Sequence, residues 1–156
     1  MSERPRLYIT RKARFSAAHR YENPAWSPEE NHRVFGACYS RFGHGHNYEL
    51  EVTVCGEVDP ATGMVVNLRE IDGILQEEIV ARMDHRHLNE ELPEWKNRNP
   101  TTENLAVEIF ERLAPRFASA RAKLHSVLLR EDPELYAEYF GPEGDPFTRG
   151  RAEGTA

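Results

Sequence analysis

His44 and His46 stand two residues apart in the run HGHNYELEVTV, and that spacing is the clearest chemical signal in the chain. Residues i and i+2 of a strand project to one face, so both imidazoles can reach one metal ion. Gly45 between them carries no side chain to crowd the opposite face. Upstream, His19 closes the stretch FSAAH and offers a third ligand. Three neutral imidazoles suit Zn2+, and three protein ligands leave a fourth position for water or substrate, as in catalytic sites. The plainer alternative is a turn with two solvated histidines and a third at a strand end. Cys38 precedes the pair by a five-residue spacer. It reads as a fourth ligand, as a nucleophile or base activated by a nearby cation, or as a small buried side chain. Cys55 lies inside the strand and reads as a packed apolar residue.

Three further groups could serve such a site. Asp84 and His85 are adjacent, and a carboxylate beside an imidazole can hold its tautomer and raise its basicity. Against that, neighbouring residues rarely bond side chain to side chain, and DHRH on a polar loop is commonly solvated. Glu131 ends an alternating stretch in which His125, Val127 and Leu129 share its face. A carboxylate there sits at a rim, or is buried to meet a cationic or hydrogen-bond-donating ligand. Thr101, Thr102 and Glu103 open a helix, where capping explains them and free backbone N–H groups are also on offer. His32 and His87 have no evident partner and read as surface residues; His125 reads as structural.

The elements that must position these groups follow from periodicity. Leu7 to Ala17 alternates, with Ile9, Ala13 and Phe15 on one side, and predicts a strand ending near His19. Pro24 and Pro28 break the next stretch. Ser27 as N-cap with Pro28 behind it predicts a short helix over 28–35, a flap between His19 and Cys38. Tyr48, Leu50, Val52 and Val54 continue the histidine strand on one face, with Glu49, Glu51 and Thr53 on the other. Asp59-Pro60 and Thr62-Gly63 are turn signals, and residues 64–68 are apolar enough to pair back as a hairpin. Ile71, Ile74, Leu75, Ile79 and Met83 predict an amphipathic helix. Residues 84–100 read as a polar loop. A Thr101 or Thr102 cap leads into a helix striped by Leu105, Ile109 and Leu113. Residues 123–131 alternate again, and 132–139 read as one more short strand or a helical turn. The order predicts an α+β protein, an antiparallel sheet with helices on one face, in one domain over residues 1–140. Residues 141–156 read as a flexible tail. An open sheet of this kind has edges that self-association would cover.

Composition sets outer limits. The chain has 156 residues and a net charge of −6, which argues against nucleic acid or an anionic membrane as a partner. There is no apolar run of membrane-spanning length, and the N-terminal residues lack the apolar stretch of a signal peptide. Two cysteines make no disulfide framework, so a reducing cytoplasm is the expected compartment.

Taken in order, FSAAHR, C-x5-HGHNY, GEVDPATGMVVNL, MDHRHLN, PTTENLA and LLRE resemble the 6-pyruvoyl-tetrahydropterin synthase family, which includes the 6-carboxytetrahydropterin synthases. The similarity runs from about Phe15 to Glu131. It implies the tunnelling fold: a four-stranded antiparallel sheet with two helices on one face, three subunits joining sheets into a barrel, and two trimers forming a hexamer. It implies Zn2+ on His19, His44 and His46, with Cys38 as the catalytic cysteine. Asp84 and His85 match the family's catalytic pair, contributed from a neighbouring subunit. Glu131 matches the pterin anchor, and Thr101, Thr102 and Glu103 fall in the segment lining the pterin pocket. The implied substrate is 7,8-dihydroneopterin triphosphate, converted to 6-pyruvoyl-tetrahydropterin with loss of triphosphate. Lys12, Arg14, Arg20, Arg33 and Arg41 are available for the phosphates. The C-x5-H spacer and the DPATGMVVNL run look like the pyruvoyl branch. The alternatives are the 6-carboxy branch serving queuosine synthesis, where many members have a shorter spacer, and a non-catalytic zinc-stabilised pterin-binding oligomer. One departure is Asp132-Pro133 after Glu131, where the family often has a threonine.

Overall fold

Two long strands form the frame of the protein, for which a computed structural model describes residues 5–118 and 121–144. β1 (Arg6–His19) and β2 (His44–Glu57) pair antiparallel along their whole length, from Arg6 opposite Glu57 to His19 opposite His44. A two-residue strand, β3 (Arg86–His87), runs parallel to β1 beside Ala17 and Ala18. On the other side β2 pairs with β4 (Ala122–Arg130), and β4 with β5 (Tyr136–Tyr139), both antiparallel. The sheet order is β3-β1-β2-β4-β5. Four antiparallel strands are thus present as expected, and the parallel β3 is an addition to them.

One face of the sheet is apolar and covered. Tyr48, Leu50, Val52 and Val54 of β2 are fully buried, as are Val127 and Leu129 of β4. Against them pack α2 (Leu68–Leu75), α3 (Ala81–Met83) and α5 (Thr102–Leu113), through Ile71, Met83, Leu105, Ile109 and Leu113. Each such side chain contributes roughly 1.5–3 kcal/mol on leaving water, so this layer is what holds the sheet in shape. Between α2 and α3 the helix passes through one π turn, Gln76–Val80, where the Ala81 N–H reaches back five residues to the Gln76 carbonyl. The opposite face carries the alternate residues and is polar. There Lys12 reaches Glu51 at 2.8 Å and Arg14 reaches Glu49 at 2.9 Å. Such a one-sided sheet matches the alternation in the sequence.

The flap is held as its sequence predicts. α1 (Pro28–Phe35) starts at Ser27, whose Oγ accepts the Glu30 N–H at 3.2 Å. Buried Asn31 pins the chain before it, its amide donating to the carbonyls of Asn23, Trp26 and Ser27 while its oxygen accepts the Asn23 N–H.

Three expectations need correction. Residues 64–67 form no strand; the Asp59 N–H bonds the Met64 carbonyl to close a turn, and Asn67 then caps α2. The segment after Asp84 is not a plain loop. Beyond β3 it forms α4 (Leu88–Glu91) and a 3-10 turn, Pro93–Trp95, because Leu88, Leu92 and Trp95 are buried. Their i, i+4, i+7 spacing was the missed signal; Pro93 and the surrounding charges obscured it. Finally, β4 carries a bulge at His125, where the register passes from Ser126 opposite Thr53 to Leu124 opposite Val54. Leu124, not His125, therefore joins Val127 and Leu129 on the core face. The tail expected from residue 141 falls, from residue 145 on, outside the described residues.

Candidate functional site

His19 and His44 face each other directly in the β1–β2 register, and His46 lies opposite Ala17, one pleat further in. All three project on the helix-covered face, at the end of the sheet. Their ring centroids form a nearly equilateral triangle, 4.9 Å from His19 to His44, 5.0 Å from His19 to His46 and 4.8 Å from His44 to His46. One ligand atom from each lies within 4.8 Å of the others, and Nε2 of His19 and of His44 are 3.1 Å apart. Tetrahedral zinc with bonds of about 2.0–2.1 Å separates its ligands by roughly 3.3 Å, so the spacing fits.

Two observations suit this cluster to a cation. Nε2 of His46 is buried with no hydrogen-bond partner, although Glu131 Oε1 lies 3.1 Å away, because the approach is out of line. An orphaned nitrogen costs about 1–3 kcal/mol, which a bound cation would offset. His19 is fully buried; that burial, followed by the neighbouring His46, His44 and His87, pushes its pKa down to about 3. It is therefore neutral at ordinary pH, which is the metal-binding form. Nδ1 of His19 lies 3.0 Å from the Tyr48 hydroxyl. With Nδ1–H donating to that oxygen, Nε2 is left bare for a metal.

The local backbone explains the cluster. Gly43, at φ 70°, sits so close to β1 that a Cβ would lie 2.3 Å from the His19 carbonyl oxygen and 2.9 Å from His87 Nε2. A Cβ at Gly45 would be tight but less severe, 3.3 Å from the Ala17 carbonyl oxygen, so Gly43 is the more demanding glycine. His87 is not a surface residue. It is half-buried, and its Nδ1 is enclosed without a partner.

Cys38 lies on the 3-10 turn Gly36–Tyr39, with Sγ 3.6 Å from His44 Nε2. The Tyr21 N–H donates to the Cys38 carbonyl at 2.8 Å, tying this turn to the end of β1. Burial, then the charge of Glu131, pushes the Cys38 thiol above its ordinary range. Tyr21 packs tilted against the His19 ring, with centroids 4.6 Å apart, and is backed by Phe35 at 6.0 Å. Its phenol is pushed far up, chiefly by burial and then by Glu131, Cys38 and Glu103.

Glu131 follows β4 and is buried. Besides its contact with His46, it accepts a short hydrogen bond from the Thr102 hydroxyl through Oε2. Its own N–H bonds the Leu135 carbonyl at 3.0 Å, and Asp132 Oδ1 accepts the N–H groups of Glu134 and Leu135. Asp132-Pro133 thus opens a closed loop that leads into β5. Thr101 is used as the α5 cap, its Oγ1 accepting the Asn104 N–H at 3.2 Å, and Glu103 is exposed on the first turn.

Asp84 and His85 do bond to each other, Oδ2 to Nδ1 at 2.8 Å. The adjacent residues manage this because His85 has a left-handed backbone, φ 58°. Both are fastened to Ser16 of β1: Asp84 Oδ1 accepts the Ser16 N–H at 2.7 Å, and the His85 N–H donates to the Ser16 carbonyl at 2.6 Å. The Ser16 N–H, then His85, hold the Asp84 carboxyl below its ordinary range. The His85 side chain is 82% exposed. Among the described residues, no hydrogen bond or ion pair joins this pair to Cys38. The structure therefore brings His19, His44, His46, Cys38, Glu131 and Thr102 together, and leaves Asp84 and His85 at the sheet edge. Tyr48 was missed by sequence reasoning, although its place two residues beyond His46 on the same face was the signal.

Sheet and site together define a tunnelling-fold protein with a three-histidine centre suited to a metal ion. Residues 8–142 match the 6-pyruvoyl tetrahydropterin synthase family, and the chain belongs to it. It is 39% identical over 142 residues to the 6-pyruvoyl tetrahydrobiopterin synthase of Drosophila melanogaster, covering 91% of this chain and 84% of that one. To the Homo sapiens enzyme of the same name it is 45% identical over 105 residues, 67% of this chain and 72% of that one. The solved structure of Caenorhabditis elegans 6-pyruvoyl tetrahydropterin synthase superposes with a TM-score of 0.83 at 34% identity, covering 90% of this chain and 99% of that one. Among the described residues no helix is long and apolar enough to cross a membrane.

Proposed function

We propose that the chain is a zinc-dependent lyase that converts 7,8-dihydroneopterin triphosphate to 6-pyruvoyl-tetrahydropterin with release of triphosphate. The observation that carries this reading is the three-histidine triangle, with His19 buried and His44 and His46 half-buried, beside Cys38 and Glu131, in a member of this family. His19, His44 and His46 would hold the zinc ion. Bound there, zinc supplies Lewis acidity toward oxygens of the substrate side chain.

The chain's own groups do the rest. Cys38, as thiolate, takes a carbon-bound proton of the side chain. Left to itself the pocket disfavours that anion, since burial and Glu131 both raise the thiol; a cation beside His44 reverses the balance. Glu131 accepts N–H groups from the pterin edge, an arrangement of charge-assisted bonds, while the Thr102 hydroxyl holds the carboxylate in place. Thr101 and Glu103 border that pocket on the first turn of α5. His85, oriented by Asp84, moves the proton of a substrate oxygen. Its exposure, and the lack of a hydrogen bond or ion pair to Cys38 among the described residues, support action on a neighbouring subunit's site, in a homohexamer built from two trimers. A reducing cytoplasm is the proposed compartment for a protein with two free cysteines.

The test is product identification by mass after incubation with 7,8-dihydroneopterin triphosphate, with and without a chelator. Chelator-sensitive 6-pyruvoyl-tetrahydropterin and triphosphate are the expected result. 6-Carboxytetrahydropterin with acetaldehyde would move the chain to the other branch, and pterin binding without turnover would leave a binding protein.

A further inference from the structure

The proposed substrate carries a chain of phosphates, and a protein with net charge −6 can hold it only through cations that are not already neutralised. Five basic residues surround the site in the sequence, and the structure separates them. Lys12 lies 2.8 Å from Glu51 and 3.2 Å from Glu49, on the polar face of the sheet. Arg14 lies 2.9 Å from Glu49, and Arg33 lies 2.6 Å from Glu30. Arg20 is paired with Glu22, donates to the Ser40 carbonyl at 3.0 Å and covers the Tyr39 ring. Arg41 is different. Among the described residues no carboxylate lies within 4.0 Å of it, and its guanidinium rests 5.2 Å above the ring of Phe42, itself 79% exposed.

The position of Arg41 is fixed as well as uncommitted. It occupies a turn closed twice, by the Gly43 N–H to the Ser40 carbonyl at 3.1 Å and by the Ser40 hydroxyl to the Gly43 carbonyl at 2.9 Å. Gly43 is in turn jammed against the His19 backbone, so the turn cannot drift from the metal-binding end of β1. Arg41 stands three residues after Cys38 and three before His44. Three peptide units span at most about 11 Å, and a rigid turn spans less, so both residues lie within reach of an arginine side chain. Stacking on Phe42 limits the rotamers the guanidinium must give up on binding.

We infer that Arg41 receives the phosphate chain of the substrate and so selects the triphosphate over an unphosphorylated pterin. The inference rests on the function proposed above and names the residue that reads one part of that substrate. A guanidinium meets phosphate oxygens with two parallel N–H bonds, which a lysine cannot reproduce.

The test is equilibrium binding of two probes to the zinc-loaded protein: inorganic tripolyphosphate and 7,8-dihydroneopterin. The variants are Arg41→Ala, Arg41→Lys and Arg69→Ala, the last removing the same charge from an exposed position on α2. In Arg41→Ala, tripolyphosphate should bind ~10- to 100-fold more weakly, with Arg41→Lys between it and the wild type. Dihydroneopterin should bind within twofold in all of them, and Arg69→Ala should match the wild type for both probes. Unchanged tripolyphosphate binding in Arg41→Ala overturns the inference, and so does an equal loss of both probes, which would mark a structural or intersubunit role for the turn. A wild type that binds dihydroneopterin but not tripolyphosphate also overturns it, while leaving the pterin reading intact. A wild type that binds neither probe and turns over no triphosphate substrate overturns the proposed function itself.

Discussion

The hydroxyl of Tyr48 lies 3.0 Å from Nδ1 of His19, and both side chains are fully buried. Tyr48 also stacks on Phe15, with centroids 4.9 Å apart, so a phenyl ring at position 48 would keep its packing and lose only the oxygen. Tyr48→Phe is therefore expected to fold normally and to weaken metal binding ~10- to 100-fold, the usual effect of removing a ligand's orienting partner. Competition with a chromophoric chelator measures this directly. An unchanged affinity would show that the hydroxyl does not set the tautomer of His19.

Gly43→Ala should be far more damaging than Gly45→Ala. The first puts a methyl 2.3 Å from the His19 carbonyl oxygen at a positive φ, whereas the second meets nothing closer than 3.3 Å. Metal content after dialysis should fall well below one per chain in Gly43→Ala and stay near one in Gly45→Ala. His44→Ala is the reference for complete loss.

Cys38 yields a prediction in pH. With its pKa raised by burial and by Glu131, the metal-free thiol holds less thiolate at any given pH than a free cysteine. Alkylation at pH 8, followed by peptide mass to separate Cys38 from Cys55, should be slower than for a cysteine peptide and should accelerate only at higher pH. Glu131→Gln removes one of the two causes and should speed the reaction, as should added zinc. In the loaded enzyme, Cys38→Ala should keep its metal and lose turnover by roughly 100-fold or more.

Because, among the described residues, no hydrogen bond or ion pair joins the Asp84-His85 pair to Cys38, two inactive variants should repair each other. Subunits of Cys38→Ala and Asp84→Asn, unfolded together and refolded, should regain about a quarter of wild-type activity if each site draws one residue from each of two randomly assorted neighbours. Separately refolded samples should stay inactive. Recovery no greater than in those controls would assign the pair to its own subunit's site.

What could be read in the sequence was whatever depends on short-range period. The two-residue spacing of His44 and His46, the Ser27-Pro28 cap and the stripe of Leu105, Ile109 and Leu113 all survive in the structure, since strand and helix geometry translate such spacing directly into a shared face. Tertiary contacts were less visible. The bulge that turns His125 out of line is set by β2, a strand some seventy positions away, and the burial of Leu88 and Trp95 beneath a charged segment depends on what packs over them. The bond between Asp84 and His85 needed a left-handed residue, and although histidine is one of the types enriched there, most histidines are not left-handed, so the residue type alone does not announce it.

The π turn at Gln76–Val80 imposes a counting rule on the gene. It amounts to one residue more than an α-helix would use, inserted upstream of Asp84. A single-codon deletion in that stretch would restore the regular helix and rotate everything after it by about 100°. Asp84 would then swing away from Ser16 and His85 would lose its perch, while the apolar stripe of Ile71, Ile74 and Leu75 before the turn would keep its place. Natural variation in length is thus expected in the turn at residues 59–64 and absent between Asn67 and Asp84. Reading frames that differ there by one amino acid should encode stable proteins with silent active sites.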